Sequence, residues 1–88
     1  MKINQYAIYD NKLKAFGAPF FQANNAVALR EFENAVKAHD SKFGQHPEDY
    51  SLFLIGEFDD HTGVVKPLDH TNLGMAAQFV QDTIRAVK

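Results

Sequence analysis

The sequence predicts an α+β domain: an antiparallel sheet of about four strands carrying two helices, in the order ββαββα. Three observations predict it. Segments rich in β-branched and aromatic residues come in pairs joined by short polar turns, 3–9 with 12–16 and 51–58 with 64–66. Two other stretches space their apolar residues at helical intervals. Residues 1–88 have room for a single domain with one modest core.

The first strand is Ile3-Asn4-Gln5-Tyr6-Ala7-Ile8-Tyr9. Asp10-Asn11 tolerates positive φ and precedes the alternating run Lys12-Leu13-Lys14-Ala15-Phe16, so a primed two-residue turn is expected to close a hairpin. Alternation on the second strand puts Leu13 and Ala15 on one face and Lys12, Lys14 and Phe16 on the other. Gly17-Ala18-Pro19 ends the pairing, because proline has no N–H to donate. A helix follows from Asn24 or Asn25, either of which can cap its first turn. Leu29, Phe32 and Val36, flanked by Ala28 and Ala35, form its buried stripe. Glu33 and Lys37 stand four apart on the polar side, the spacing of an ion pair. The helix is expected to stop by Asp40, where a turn-rich stretch to Pro47 begins.

Residues 51–58 form the strongest strand, with Leu52, Leu54 and Phe58 on one face and Phe53, Ile55 and Glu57 on the other. Asp59-Asp60-His61-Thr62-Gly63 is a turn, and Val64-Val65-Lys66 a short returning strand that Pro67 stops. Leu73, Ala76, Val80, Ile84 and Val87 recur at helical spacing and predict a second helix over 72–87. Gly74 weakens its first turn by about 1 kcal/mol relative to Ala.

Composition narrows the chemistry. The chain has no Cys, which excludes disulfides, thiolate nucleophiles and Cys-based zinc sites. No apolar run approaches the roughly 18–20 residues of a membrane span, and Met1-Lys2-Ile3-Asn4-Gln5 lacks the apolar stretch of a signal peptide, so a cytoplasmic protein without membrane contact is expected. The five glycines stand isolated, so there is neither a phosphate-cradling loop nor a dinucleotide fingerprint. Ser41 and Ser51 stand in no nucleophile elbow. Asp59-Asp60-His61, Asp69-His70 and His39-Asp40 combine imidazole with carboxylate, but no pair has the His-x-x-x-His spacing of a helical metal site and the Asp-rich loop lacks the calcium-loop pattern. Acidic turns form readily because Asp bonds its own backbone. The pattern points to a protein that is not an enzyme and needs no metal or cofactor.

Formal net charge is −2, which argues against coating nucleic acid by bulk electrostatics. The charge is uneven. Residues 1–44 carry six bases (Lys2, Lys12, Lys14, Arg30, Lys37, Lys42) against four acids, and residues 45–88 three bases against seven acids. Eight Phe and three Tyr are more rings than one small core easily encloses. The first 21 residues mix Tyr6, Tyr9, Phe16, Phe20 and Phe21 with Lys12 and Lys14, the combination by which single-strand binders stack bases and meet phosphates. With both helices on one side of the sheet, the other side carries Tyr9, Phe16 and Phe53. Such a face serves equally as a base-stacking platform or as a dimer interface.

Tyr6-Ala7-Ile8-Tyr9-Asp10, Pro19-Phe20-Phe21, Ala28-Leu29-Arg30-Glu31-Phe32, His46-Pro47-Glu48-Asp49-Tyr50, Gly56-Glu57-Phe58-Asp59-Asp60, Thr62-Gly63 and Pro67-Leu68 occur in one order across roughly residues 3–75. In these motifs the chain resembles the small nonstructural protein of gokushoviruses, single-stranded-DNA bacteriophages of the Microviridae. The resemblance implies a protein made in the cytoplasm of the infected bacterium and absent from the mature virion. It further implies binding to single-stranded DNA in replication and packaging of the genome, and no catalytic residues. The acidic motifs at 46–49 and 57–60 repel phosphate and are better suited to fixing loops, Pro47 opening a short turn that Glu48 or Asp49 caps. The candidate phosphate contacts are therefore Lys2, Lys12, Lys14, Arg30 and Lys37, and the candidate stacking rings Tyr9, Phe16 and Phe53. A homodimer would double the basic patch. The alternative is a protein-interaction module that redirects a phage or host replication protein without touching DNA.

Overall fold

A computed structural model describes residues 1–80. The strands are β1 (Lys2–Asp10), β2 (Ala15–Phe16), β3 (Phe20–Gln22), β4 (Tyr50–Asp59) and β5 (Val65–Met75); the helices are α1 (Asn25–Lys37), α2 (Lys42–Gln45) and α3, which begins at 76 and runs to 80, where the described residues end. The strands make one antiparallel sheet in the order β2-β1-β4-β5, with β3 also on β1, so the fold is α+β as the sequence predicts.

The core lies between the sheet and α1. Tyr6 and Leu52 meet Ala28, Phe32 and Val36 of α1 and Ala76 of α3, and Ile8, Phe20, Leu29, Leu54 and Leu73 pack around them. Asn24 caps α1, its Oδ1 accepting from the Val27 N–H at 3.0 Å, and the expected Glu33–Lys37 pair closes at 2.7 Å. Tyr6 is fully buried, yet its hydroxyl donates to Asn25 Oδ1 at 2.7 Å and accepts from Asn4 Nδ2 at 3.0 Å. That satisfies the one polar atom its burial would otherwise strand.

Five sequence expectations are corrected. The hairpin loop has four residues rather than two: Tyr9 pairs with Phe16 and Asp10 with Ala15, so Lys12, Leu13 and Lys14 lie in the loop and not on a strand. The reason is the Asp10 carboxylate, which folds back to accept from the Lys12 and Leu13 N–H groups at 2.9 and 3.2 Å, while Lys14 takes the left-handed step at φ 55°. Second, pairing with β1 resumes after Pro19 as β3, too short to show a pattern of its own. Third, β5 passes through Pro67 and continues to Met75; it is the outer strand, with no partner on one side among the described residues, and proline is tolerated there. Fourth, Leu73 and Gly74 are therefore strand residues and helix begins at 76 rather than 72. Leu73 keeps helical spacing with Ala76 and Val80 because all three pack on the same core, one from the strand and two from the helix. The predicted helical segment 81–87 lies outside the described residues.

The fifth correction concerns faces. Gln5 pairs with Gly56 but Tyr6 with Leu54, leaving Ile55 as an extra residue in β4. This bulge reverses the alternation beyond it. Phe58 joins the face of Phe53, packing its ring 5.7 Å from Phe21, and Glu57 joins the face of Leu52 and Leu54, 4.0 Å from Lys2 Nζ.

Candidate nucleic-acid interface

The side of the sheet away from α1 is a floor of rings. Tyr9, Phe16 and Phe53 meet as expected: Tyr9–Phe16 centroids are 4.9 Å apart, Phe16–Phe53 5.6 Å and Tyr9–Phe53 6.1 Å, all edge-to-face. His70 of β5 completes the group, 5.4 Å from Phe16 and 6.5 Å from Phe53. Reading Pro67 as a strand stop hid it; carrying the strand through would have placed it there. Phe21 and Phe58 form a second group farther along the same face. Phe16 and Phe21 remain 41% and 43% exposed, enough ring surface to stack on.

The candidate cations do not gather on that face. Lys12 and Lys14 sit in the hairpin loop, directly beyond the Tyr9–Phe16 pair. Lys2 lies at the opposite end of β1 and leans toward Glu57 on the helix side. Arg30 and Lys37 belong to α1, on the far side of the sheet from the rings, and Lys37 is held by Glu33. The structure thus joins Lys12 and Lys14 to Tyr9, Phe16 and Phe53, and separates Lys2, Arg30 and Lys37 from them.

A second aromatic feature lies behind the hairpin, on the helix side, where α1 no longer covers the sheet. Ser41 Oγ accepts from the Phe43 N–H at 3.1 Å and starts α2, whose Phe43 packs 4.9 Å from Tyr50 and 6.0 Å from Phe32. Lys42 lies over both half-buried rings, its Nζ 5.4 Å from the Phe43 centroid and 6.0 Å from Tyr50. Between α2 and the hairpin opens a groove of about 300 Å³, walled by Ile8, Phe20, Phe43 and Tyr50 with Lys42 and Asp10 at its edge. Desolvation, followed by the neighbouring Asp10 and Asp49 carboxylates, pushes the Tyr50 hydroxyl pKa up, so this wall stays neutral at ordinary pH. Sequence reading missed Lys42 as a site residue because its segment shows only turn composition; the signal was its position beside Phe43.

The acidic motifs have local roles. Pro47 opens a single 3-10 turn, Pro47–Asp49, without a side-chain cap; the Asp49 N–H bonds the His46 carbonyl at 3.0 Å. Asp59 Oδ1 accepts from the His61 N–H at 2.9 Å, and Asp60 meets the Met1 ammonium at 2.8 Å. Among the described residues, no three His, Asp or Glu side chains are grouped to hold a metal ion, and no helix is long and apolar enough to cross a membrane.

Comparison with known proteins adds one match. A family model described as Phage ORF5 protein matches residues 3–79. No curated protein and no solved structure matches the chain.

Proposed function

The chain belongs to the Phage ORF5 protein family, and from that premise we propose that it is a nonstructural protein of gokushovirus-type Microviridae that binds single-stranded DNA during genome replication and packaging. It acts in the cytoplasm of the infected bacterium, without catalysis and outside the mature virion. The observation that carries the reading is the hairpin end of the sheet, where rings and cations alternate. Tyr9, Phe16 and Phe53 lie on one side, Lys12 and Lys14 in the loop, and Lys42 over Phe43 and Tyr50 on the other. A single strand drawn across this end stacks its bases on rings and leaves its phosphates to the lysines, without any need for a basic protein overall. Dimerisation would double this small patch.

The test is fluorescence anisotropy with a labelled single strand of about 30 nucleotides and its matching duplex, at low and moderate salt. Preference for the single strand with a clear salt slope supports the reading. No binding below about 100 μM at low salt overturns it, because the electrostatic contribution is largest there.

A second reading, a protein-interaction module for a phage or host replication protein, draws on a different observation. The ring face built by Ile3, Tyr9, Phe16, Phe21, Phe53, Phe58 and Val65 bears no Asp, Glu, Lys or Arg at these positions, and interface cores are depleted in charge and rich in rings. It prevails if the strand is not bound and a defined replication protein is still retained after nuclease treatment.

A further inference from the structure

The groove behind the hairpin shares Phe16 with the ring face, while the rest of its lining lies outside that face. Its walls are ring and aliphatic side chains, Phe20, Phe43, Tyr50 and Ile8, and its rim carries a cation, Lys42. At about 300 Å³ it stands at the lower end of the roughly 300–1,000 Å³ of small-ligand sites, the size for one flat ring with its immediate substituents. The rim also carries Asp10, whose Oδ1 accepts from the Lys12 and Leu13 N–H groups. Ring surface within and one ammonium at the rim fit a nucleotide, with the base against Phe20, Phe43 and Tyr50 and the phosphate toward Lys42.

We propose that this groove is a one-nucleotide pocket, with Lys42 as its phosphate contact. The proposal deepens the single-strand reading and rests on it: a base splayed out of the strand turns over the hairpin and enters from the rim, as unstacked bases do in single-strand recognition. A free mononucleotide offers the same chemistry, and the experiment separates the two sources.

The experiment is a heteronuclear NMR titration of the whole chain with dTMP, thymidine, inorganic phosphate and a dT oligonucleotide of about eight residues. Two variants accompany it. Lys42→Glu reverses the rim charge at an exposed residue. Ala18→Trp, in the exposed loop that lines the groove, fills it from outside the core. With dTMP and the oligonucleotide, the amides of Ile8, Lys42, Phe43 and Tyr50 are expected to shift together. Thymidine should shift them more weakly, and phosphate alone should leave the ring residues still. Lys42→Glu is expected to weaken dTMP binding about tenfold or more, the scale of a lost charge-assisted hydrogen bond. Ala18→Trp should abolish the shifts while retaining the parent melting temperature.

The pocket is refuted if dTMP and the oligonucleotide leave those amides unmoved, or if Ala18→Trp binds both as the parent does. Oligonucleotide shifts confined to Tyr9 and Phe53 refute the pocket and leave strand binding standing. Shifts with dTMP but none with any strand keep the pocket as a free-nucleotide site and overturn the strand reading.

Discussion

Gly44 lies so close to the backbone carbonyl of Val36 that a Cβ at position 44 would stand 2.5 Å from that oxygen. This approach lets α2 tuck beneath the end of α1, bringing Phe43 to Phe32 and Tyr50 and holding Lys42 over the groove. A backbone carbonyl in a helix cannot swing away as a flexible side chain can. Gly44→Ala is therefore expected to cost about 1–3 kcal/mol, the range of overpacking, read as a lower midpoint in urea denaturation. It should also displace α2, so nucleotide shifts at Lys42 and Tyr50 fall with it.

The Tyr6 hydroxyl links strand to helix through Asn4 and Asn25, at 3.0 and 2.7 Å. Tyr6→Phe keeps the ring in the core and removes that link. Both asparagines retain contact with water, so their orphaned groups are partly compensated; the expected loss is about 0.5–1.5 kcal/mol, not the larger penalty of a buried orphan. Equilibrium denaturation with an unchanged m-value checks it, since the surface exposed on unfolding stays the same.

Burial raises the Tyr6 pKa above the ordinary 10.0, though its bond to Asn4 opposes the shift; Tyr50 is raised by burial, then by Asp10 and Asp49. The unfolded chain releases these protons first as pH rises, so the folded state binds more protons in that window. The stability from keeping both phenols neutral is fully present below pH 10 and is lost as pH climbs through the folded values. Melting temperature should fall between about pH 10 and the raised pKa values, and fall less steeply in Tyr6→Phe. A fall of equal steepness in that variant would assign the alkaline loss elsewhere.

Patterns of short range were legible in the sequence, and accidents of geometry were not. The stripe of Leu29, Phe32 and Val36 with Ala28 beside it, the Asn24 cap and the Glu33–Lys37 pair follow from helical period and cap chemistry, which need no distant partner. The ring group Tyr9–Phe16–Phe53 followed from strand alternation, because the longer hairpin loop shifts the pairing by an even number of residues and leaves Phe16 on its face, and the first half of β4 keeps its alternation. The bulge at Ile55 left no local mark, and it carried Phe58 to the other face. Pro67 was misleading because its effect depends on whether its strand is inner or outer, and strand order is a property of the whole sheet. The groove was invisible for the same reason: Lys42 and Tyr50 meet only after α2 folds against the sheet.

Lys12 and Lys14 share the hairpin loop beside the rings, whereas Lys2 and Lys37 lie elsewhere and each approaches a carboxylate, at 4.0 and 2.7 Å. All four are surface cations of the N-terminal half, so net charge treats the two pairs alike and geometry does not. Charge reversal at Lys12 and Lys14 is expected to weaken single-strand binding at least about tenfold and to lower the salt slope by about 1.4, two phosphate contacts at roughly 0.7 each. Reversal at Lys2 and Lys37 changes net charge equally but should leave the slope nearly unaltered. Both double variants should unfold close to the parent, since none of these residues carries the core and exposed ion pairs contribute little. Equal losses from the two pairs in anisotropy titrations across salt would mean that bulk charge governs binding, and the hairpin end would not be the interface.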